Sequence, residues 1–319
     1  MLALIRSIGT HALGLNMKLI IDTDPGIDDA MAIALAHAMP EIELIGLTAC
    51  FGNTFVSQSS RNARYLCDLL GFSVPVAEGA SLPYGETDYT PSANVHGPEG
   101  MGSMETVPQI GTNTDLSAAE FLVAMAALHK GELTVCAVAP LTNIADAIKL
   151  DPAFATNIKE LVIMGGAYKH NGNITPYAEA NIFHDAKAAD VVFATKMPIK
   201  MIGLDATMLT LLTPHDFHEM AQKAPKIGDF IEQISKFYLE FYRSVGVMTG
   251  CPMHDATAVL ACTHPEKFTF EDVGLRVILE GEEIGQTVAD TSRPKVQVAI
   301  SVEGQWAVDY FKDHIVSLG

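Results

Sequence analysis

An apolar triplet, Leu19-Ile20-Ile21, runs straight into Asp22-Thr23-Asp24-Pro25-Gly26-Ile27-Asp28-Asp29, and a segment rich in Ala, Ile and Leu follows over 30–38. Four carboxylates within eight residues repel one another strongly unless a cation lies among them. Pro25-Gly26 forces a tight turn that folds Asp24 back towards Asp28 and Asp29. Asp28 or Asp29 can cap the helix that follows, but capping needs one acid and here there are four. Clustered hard oxygen donors suit Ca²⁺ or Mg²⁺ better than zinc. In open α/β sheets ligands gather at the carboxyl ends of strands, which is where this run falls. Read alone, the run is a site for a hard cation at the end of a first strand; with the segments downstream it is expected to be the catalytic loop of a hydrolytic enzyme.

The rest of the chain is consistent with such a sheet. Strands are expected at 43–50, 74–77, 133–139, 160–164 and 199–203, with helices at 57–70, 118–129, 141–149 and 186–195. Residues 213–242 are mostly helical in pattern, and β-branched runs between 268 and 302 suggest an antiparallel edge. The expected fold is α/β: a mostly parallel, doubly wound central sheet with helices on both faces and a small antiparallel edge. Residues 79–115, rich in Gly, Pro, Thr and Asn, break the rhythm, and a long irregular stretch inside a compact domain is usually functional. No repeat or linker divides the chain, so 17–319 reads as a single domain. Residues 1–16 have neither a sustained apolar stretch nor a clear cleavage site. They read as an extension, as the product of a misplaced start codon or as a weak targeting segment.

The formal net charge of -18 argues against nucleic acid and anionic membranes as partners. No apolar run is long enough to span a bilayer. Cys50, Cys67, Cys136, Cys251 and Cys262 are odd in number and lack a CxxC pair, which points to reduced thiols in a cytoplasmic protein.

Further polar groups lie downstream. His254-Asp255 stands before an apolar helix and offers a metal ligand beside a proton donor. The loop Asn173-Ile174-Thr175-Pro176-Tyr177-Ala178-Glu179-Ala180-Asn181 carries donors and acceptors suited to hydroxyls. Gly52-Asn53 follows the second strand, and Val95-His96-Gly97 lies in the irregular stretch. Taken singly, each of these also reads as ordinary loop or cap chemistry.

Together these segments, with Pro140-Leu141-Thr142-Asn143 and Met164-Gly165-Gly166-Ala167-Tyr168 between them, resemble the nucleoside hydrolase family. Asp22 to Ala30 looks like that family's DxDPGxDDA signature, and the resemblance runs from Lys18 to the C-terminus. It implies hydrolysis of the N-glycosidic bond of ribonucleosides to ribose and free base, with one bound Ca²⁺ and a place in nucleoside salvage or catabolism. It implies calcium ligation by Asp24, Asp29 and Asp255 and by the backbone carbonyl of Val138, with Asp24 also the base that activates water. Asp28, Asn53 and Asn181 would hold the 2′ and 3′ side of the ribose, Asn173 and Glu179 the 5′-hydroxyl, and Met164 would pack on the sugar. His254 would assist departure of the base and His96 would line its pocket, joined by Tyr242 or Tyr238 from the segment 237–251. Asp22 would support the other acids from behind. The resemblance also implies a homodimer or homotetramer. The run Gly250-Cys251-Pro252-Met253-His254-Asp255 favours pyrimidine nucleosides, uridine and cytidine, over a mixed inosine-uridine preference.

Two other readings compete. Haloacid-dehalogenase-type phosphatases also place Asp-x-Asp after a first strand, but Pro25-Gly26 and the immediate Asp28-Asp29 depart from that pattern. A non-catalytic nucleoside- or sugar-binding protein would keep the ribose contacts without needing a base. The sequence argues against a dinucleotide enzyme, because no GxGxxG follows the first strand.

Overall fold

The computed structural model describes residues 16–319, so the extension read over 1–16 lies, apart from Asn16, outside the described residues. In chain order the strands are β1 (Met17–Thr23), β2 (Ile42–Ala49), β3 (Val76–Glu78), β4 (Leu133–Ala137), β5 (Glu160–Met164), β6 (Ile199–Ile202), β7 (Leu211–Leu212), β8 (Cys251–Pro252), β9 (Phe268–Val277), β10 (Thr287–Ala289) and β11 (Lys295–Val302). Nine form one sheet in the order β10-β9-β11-β6-β5-β4-β1-β2-β3. The run from β3 to β11 is parallel throughout, and β9 pairs antiparallel with both β10 and β11. The doubly wound sheet with an antiparallel edge is therefore present. β7 and β8 pair separately; two-residue strands carry no periodicity from which a sequence could announce them.

Alternation along the central strands explains the two helical layers. Leu19 and Ile21 of β1, with Val162 and Met164 of β5, face one layer, which includes the helices Ile27–Ala38, Ile227–Ser244, His254–Thr263 and Gly304–Val316. Ile20 faces the other, with Leu161 and Ile163, against Ala118–Leu128, Thr142–Leu150 and Ala186–Phe193. Strands buried on both faces read as continuous apolar runs, as Leu19-Ile20-Ile21 does. Truncating one of these to Ala would cost roughly 2–5 kcal/mol.

β1 holds the site because of its position in the sheet. The chain proceeds outward through β2 and β3, then returns to place β4 on the opposite side of β1. β1 thus lies at a switch point of strand order, where loops diverge and leave a crevice at the carboxyl ends. The helix after it begins at Ile27, three residues earlier than the apolar pattern suggested. Asp28 and Asp29 stand in its first turn, where the helix dipole favours acids. Gly26 rather than either Asp is the cap, and Asp29 accepts the Gly26 N–H from the third helical position. Residues 79–115 are irregular except for one short helix, Ala93–His96, and the Thr114 N–H donates to the Val76 carbonyl of β3. Among the described residues no helix is long and apolar enough to cross a membrane.

Candidate active site

The acids at the end of β1 are held by one another's neighbours. Asp22 Oδ1 accepts from Thr48 Oγ1 at 2.6 Å and from Asn143 Nδ2 at 2.8 Å. Thr48 is its register partner on β2, and Asn143 reaches in from the helix after β4. Burial pushes the Asp22 carboxyl up to about 7 against those two hydrogen bonds. Both oxygens of Asp29 accept hydrogen bonds: Oδ1 takes the Thr23 hydroxyl and the Asp24 N–H, and Oδ2 takes the Gly26 N–H at 2.9 Å and Asn53 Nδ2 at 2.9 Å. Asp24 Oδ2 accepts the Asn53 N–H at 2.6 Å, and Asp28 Oδ2 accepts the Tyr238 hydroxyl at 3.1 Å. The second oxygens of Asp24 and Asp28 are buried with no hydrogen-bond partner.

Asp255 joins them from far along the chain, at the start of the helix His254–Thr263, which is buried through Cys262. Carboxylate oxygens of Asp28, Asp29 and Asp255 lie within 4.8 Å of one another. Asp24 adjoins this triplet through Asn53, which bonds both Asp24 and Asp29. Burial, then the charges of its neighbours, raises the carboxyls of Asp24, Asp29 and Asp255. No Lys or Arg pairs with these acids among the described residues. Orphaned carboxylate oxygens in a buried, purely acidic cluster fit a hard divalent cation, which would supply the missing positive charge.

The expected ribose-binding groups converge from the neighbouring strands. Glu179, 2% exposed, spreads its carboxylate over the N–H groups of Gly166, Asn181 and Ile182. Asn181 Nδ2 donates to the carbonyls of Val138 and Met164, at 3.0 and 3.1 Å, tying the ends of β4 and β5 together. Met164 is buried, with its sulfur 3.4 Å from the same amide. Asn173 is exposed, and its Oδ1 accepts the Ala180 N–H, so it braces the Glu179 segment from outside.

On the other side of the acids stand the two histidines. His96 Nδ1 accepts the Ile27 N–H at 3.2 Å and lies 3.7 Å from Asp28 Oδ1. Burial holds His96 down to about 4 and His254 down to about 3, so both are neutral near pH 7. His254 Nε2 lies 2.7 Å from the Tyr242 hydroxyl, and Nδ1 lies 2.7 Å from Thr207 Oγ1. Tyr238 packs edge-on to Tyr242 and tilted against His96. The two tyrosines therefore divide: Tyr238 turns to Asp28 and Tyr242 to His254.

Sequence reasoning missed several of these partners. Thr207, Thr48 and Asn143 are ordinary polar residues in sequence, and only their burial marks them. Asn143 lay inside a quoted segment, so the signal existed without an assigned role.

Comparison with known proteins follows the same outline. The sequence model of the family described as inosine-uridine preferring nucleoside hydrolase matches residues 19–309. The chain is 38% identical to uridine nucleosidase 1 of Arabidopsis thaliana, over 94% of this chain and 93% of that protein. It is 35% identical to the inosine-uridine preferring nucleoside hydrolase of Crithidia fasciculata, over 90% and 93%. Among solved structures, the purine-preferring ribonucleoside hydrolase from Gardnerella vaginalis is similar with a TM-score of 0.91 at 35% identity, covering 94% of this chain and 98% of that one.

Proposed function

This chain belongs to the inosine-uridine preferring nucleoside hydrolase family and is an N-glycosyl hydrolase of nucleosides, and from that premise we propose that it cleaves pyrimidine ribonucleosides, uridine and cytidine, with Ca²⁺ as its metal. Membership sets aside the phosphatase and the non-catalytic readings. The proposal takes residues 17–319 as one catalytic domain, acting in the cytoplasm as a homodimer or homotetramer. The free state of all five cysteines supports that compartment.

One observation carries the mechanism: Asp24 has one oxygen fixed by the Asn53 N–H and the other buried without a partner. A carboxylate so held is an acceptor waiting for a proton. Asp24, Asp29, Asp255 and the Val138 carbonyl would hold the cation, and Asp28 is close enough to share in it. Bound Ca²⁺ would offset the carboxylate repulsion and make water in the site more acidic. Asp24 takes a proton from the attacking water as its oxygen adds to C1′ of the ribose. Asp28, Asn53 and Asn181 orient the 2′ and 3′ hydroxyls, Glu179 and Asn173 the 5′ end, and Met164 excludes water beneath the sugar. Positive charge builds on the ribose ring as the base leaves, and the acidic walls stabilise it. The departing base draws a proton from the Tyr242–His254 pair, next to the pocket that His96 and Tyr238 line. Water is consumed, and ribose and the protonated base are released.

The test is a panel of uridine, cytidine, inosine, adenosine and 2′-deoxyuridine, each with and without a chelator, read as reducing sugar. Uridine and cytidine should lead, deoxyuridine should fail, and the chelator should silence all. Equal rates on inosine and uridine would instead favour the mixed preference named for the Crithidia relative. Activity unaffected by chelation would refute the metal reading.

A further inference from the structure

A tyrosine and a histidine outside every motif quoted above stand behind Asp24. Tyr89 lies in the irregular stretch and His184 closes the short helix Ala180–His184. The Tyr89 hydroxyl donates to the Gly52 carbonyl at 2.6 Å and lies 3.3 Å from His184 Nδ1. Its ring packs edge-on against Phe51 on one side and His184 on the other.

The Gly52 carbonyl and the Asn53 N–H belong to one planar amide. The same amide that accepts from Tyr89 therefore donates, from its opposite edge, to Asp24 Oδ2 at 2.6 Å. Holding the oxygen sets the direction of the N–H. A hydrogen bond at the carbonyl also polarises the amide and strengthens its donor. Among the described residues the only other donor to this carbonyl is the Ser92 N–H, at a long 3.4 Å. Gly52 allows the arrangement: its φ is +154°, and a Cβ there would meet Asp24 Oδ2 at 1.8 Å. Tyrosine has one hydroxyl proton, and Gly52 takes it, so His184 Nδ1 must carry its own proton and donate to the Tyr89 oxygen. Burial, which keeps His184 neutral, agrees with that tautomer.

We propose that Tyr89, oriented by His184, is a positioning residue that aims the Asp24 carboxylate through the Gly52–Asn53 amide. The role in turnover rests on the reading of Asp24 as the base; the geometric role does not.

Tyr89→Phe keeps the ring and removes the hydroxyl. In that variant kcat on uridine should fall by about 10–100-fold with KM changed far less, the range typical of partners that orient an active-site ligand. The Asn53 amide proton, read by NMR in protein labelled with ¹⁵N-asparagine, should move upfield because its hydrogen bond to Asp24 weakens. His184→Gln, which keeps a donor, should lose less kcat than His184→Phe. The idea is overturned by a Tyr89→Phe enzyme with wild-type kcat, or by an unmoved Asn53 resonance. Asp24→Asn measured alongside separates the two claims. Wild-type turnover there removes Asp24 as base, and the Asn53 resonance still decides whether Tyr89 sets the amide.

Discussion

The hydroxyl of Tyr242 lies 2.7 Å from Nε2 of His254, and the two side chains are 6% and 3% exposed. Thr207 Oγ1 closes the far side of the imidazole at 2.7 Å. Burial keeps His254 neutral, so at rest the chain of three carries no net charge, and under the proposed mechanism it delivers a proton when negative charge appears on the departing base. His254→Ala should lower kcat on uridine by about 10²–10⁴-fold, the span of general acid–base contributions. Tyr242→Phe should show a smaller loss of the same kind. A substrate whose base leaves readily as an anion, such as p-nitrophenyl riboside, should be spared by both. Equal losses on both substrates would show that His254 acts by packing.

Asp24→Asn should remove turnover, by about 10³-fold or more, while the circular dichroism spectrum stays that of the wild type. The same change should raise the melting temperature of metal-free protein, because it removes one charge from a buried cluster in which Asp24 and Asp29 repel. With Ca²⁺ present that advantage should vanish. Wild-type turnover in this variant would mean another group activates water.

Calcium should stabilise the fold as well as activate it. A cation that binds only the native state at about a hundred times its Kd adds about 2.7 kcal/mol. Thermal melts with EGTA and then excess Ca²⁺ should differ by several degrees, and Asp255→Asn should remove the difference. Identical melts would argue that nothing binds among Asp28, Asp29 and Asp255.

A surface network away from the site should contribute to the acid limb of stability. Lys312 reaches Asp216 at 2.8 Å and Glu219 at 2.7 Å, and Lys223 also reaches Glu219 at 2.7 Å. The Lys223 hydrogen bond first, then Lys312, holds Glu219 down to about 2. At Asp216 burial acts upward, but the bonds from Lys312 and Thr213 outweigh it and the carboxyl is lowered. Folded values below unfolded ones mean that the stabilisation is whole at neutral pH and is lost as pH falls from about 4 towards 2. Lys312→Met should melt lower than wild type at pH 7, less so in high salt, and the gap should close across that acid window. A gap independent of pH would assign the effect to packing of the Lys312 stem.

The acids were legible because a turn confines them: Pro25-Gly26 folds Asp24 towards Asp29 within a few residues, so spacing alone predicts the encounter. The layered sheet was legible because strands buried on both faces must be apolar throughout. What escaped was set at long range. Thr207 matters only because His254 arrives beside it, and Thr48 only because β2 pairs with β1 in one register. The terminal helix Gly304–Val316 was not read, since Trp306 and Tyr310, half-buried against the core beside its buried face, broaden the apolar stripe and blur its period. The early start of the first helix was hidden because its first turn is acidic, and acidity there reads equally as loop. Tyr238 and Tyr242 could be placed near the base but not told apart; one turn of helix sends one to Asp28 and the other to His254.

Tyr238 and Asp28 touch across 210 residues of chain. The pocket is thus assembled from segments far apart in the chain, with the helix His254–Thr263 packed against β5. Contacts so distant in sequence form slowly, because the intervening loop must close before they reward it. During refolding, helical signal should therefore return before hydrolysis does, and the lag between them times the docking of these distant segments.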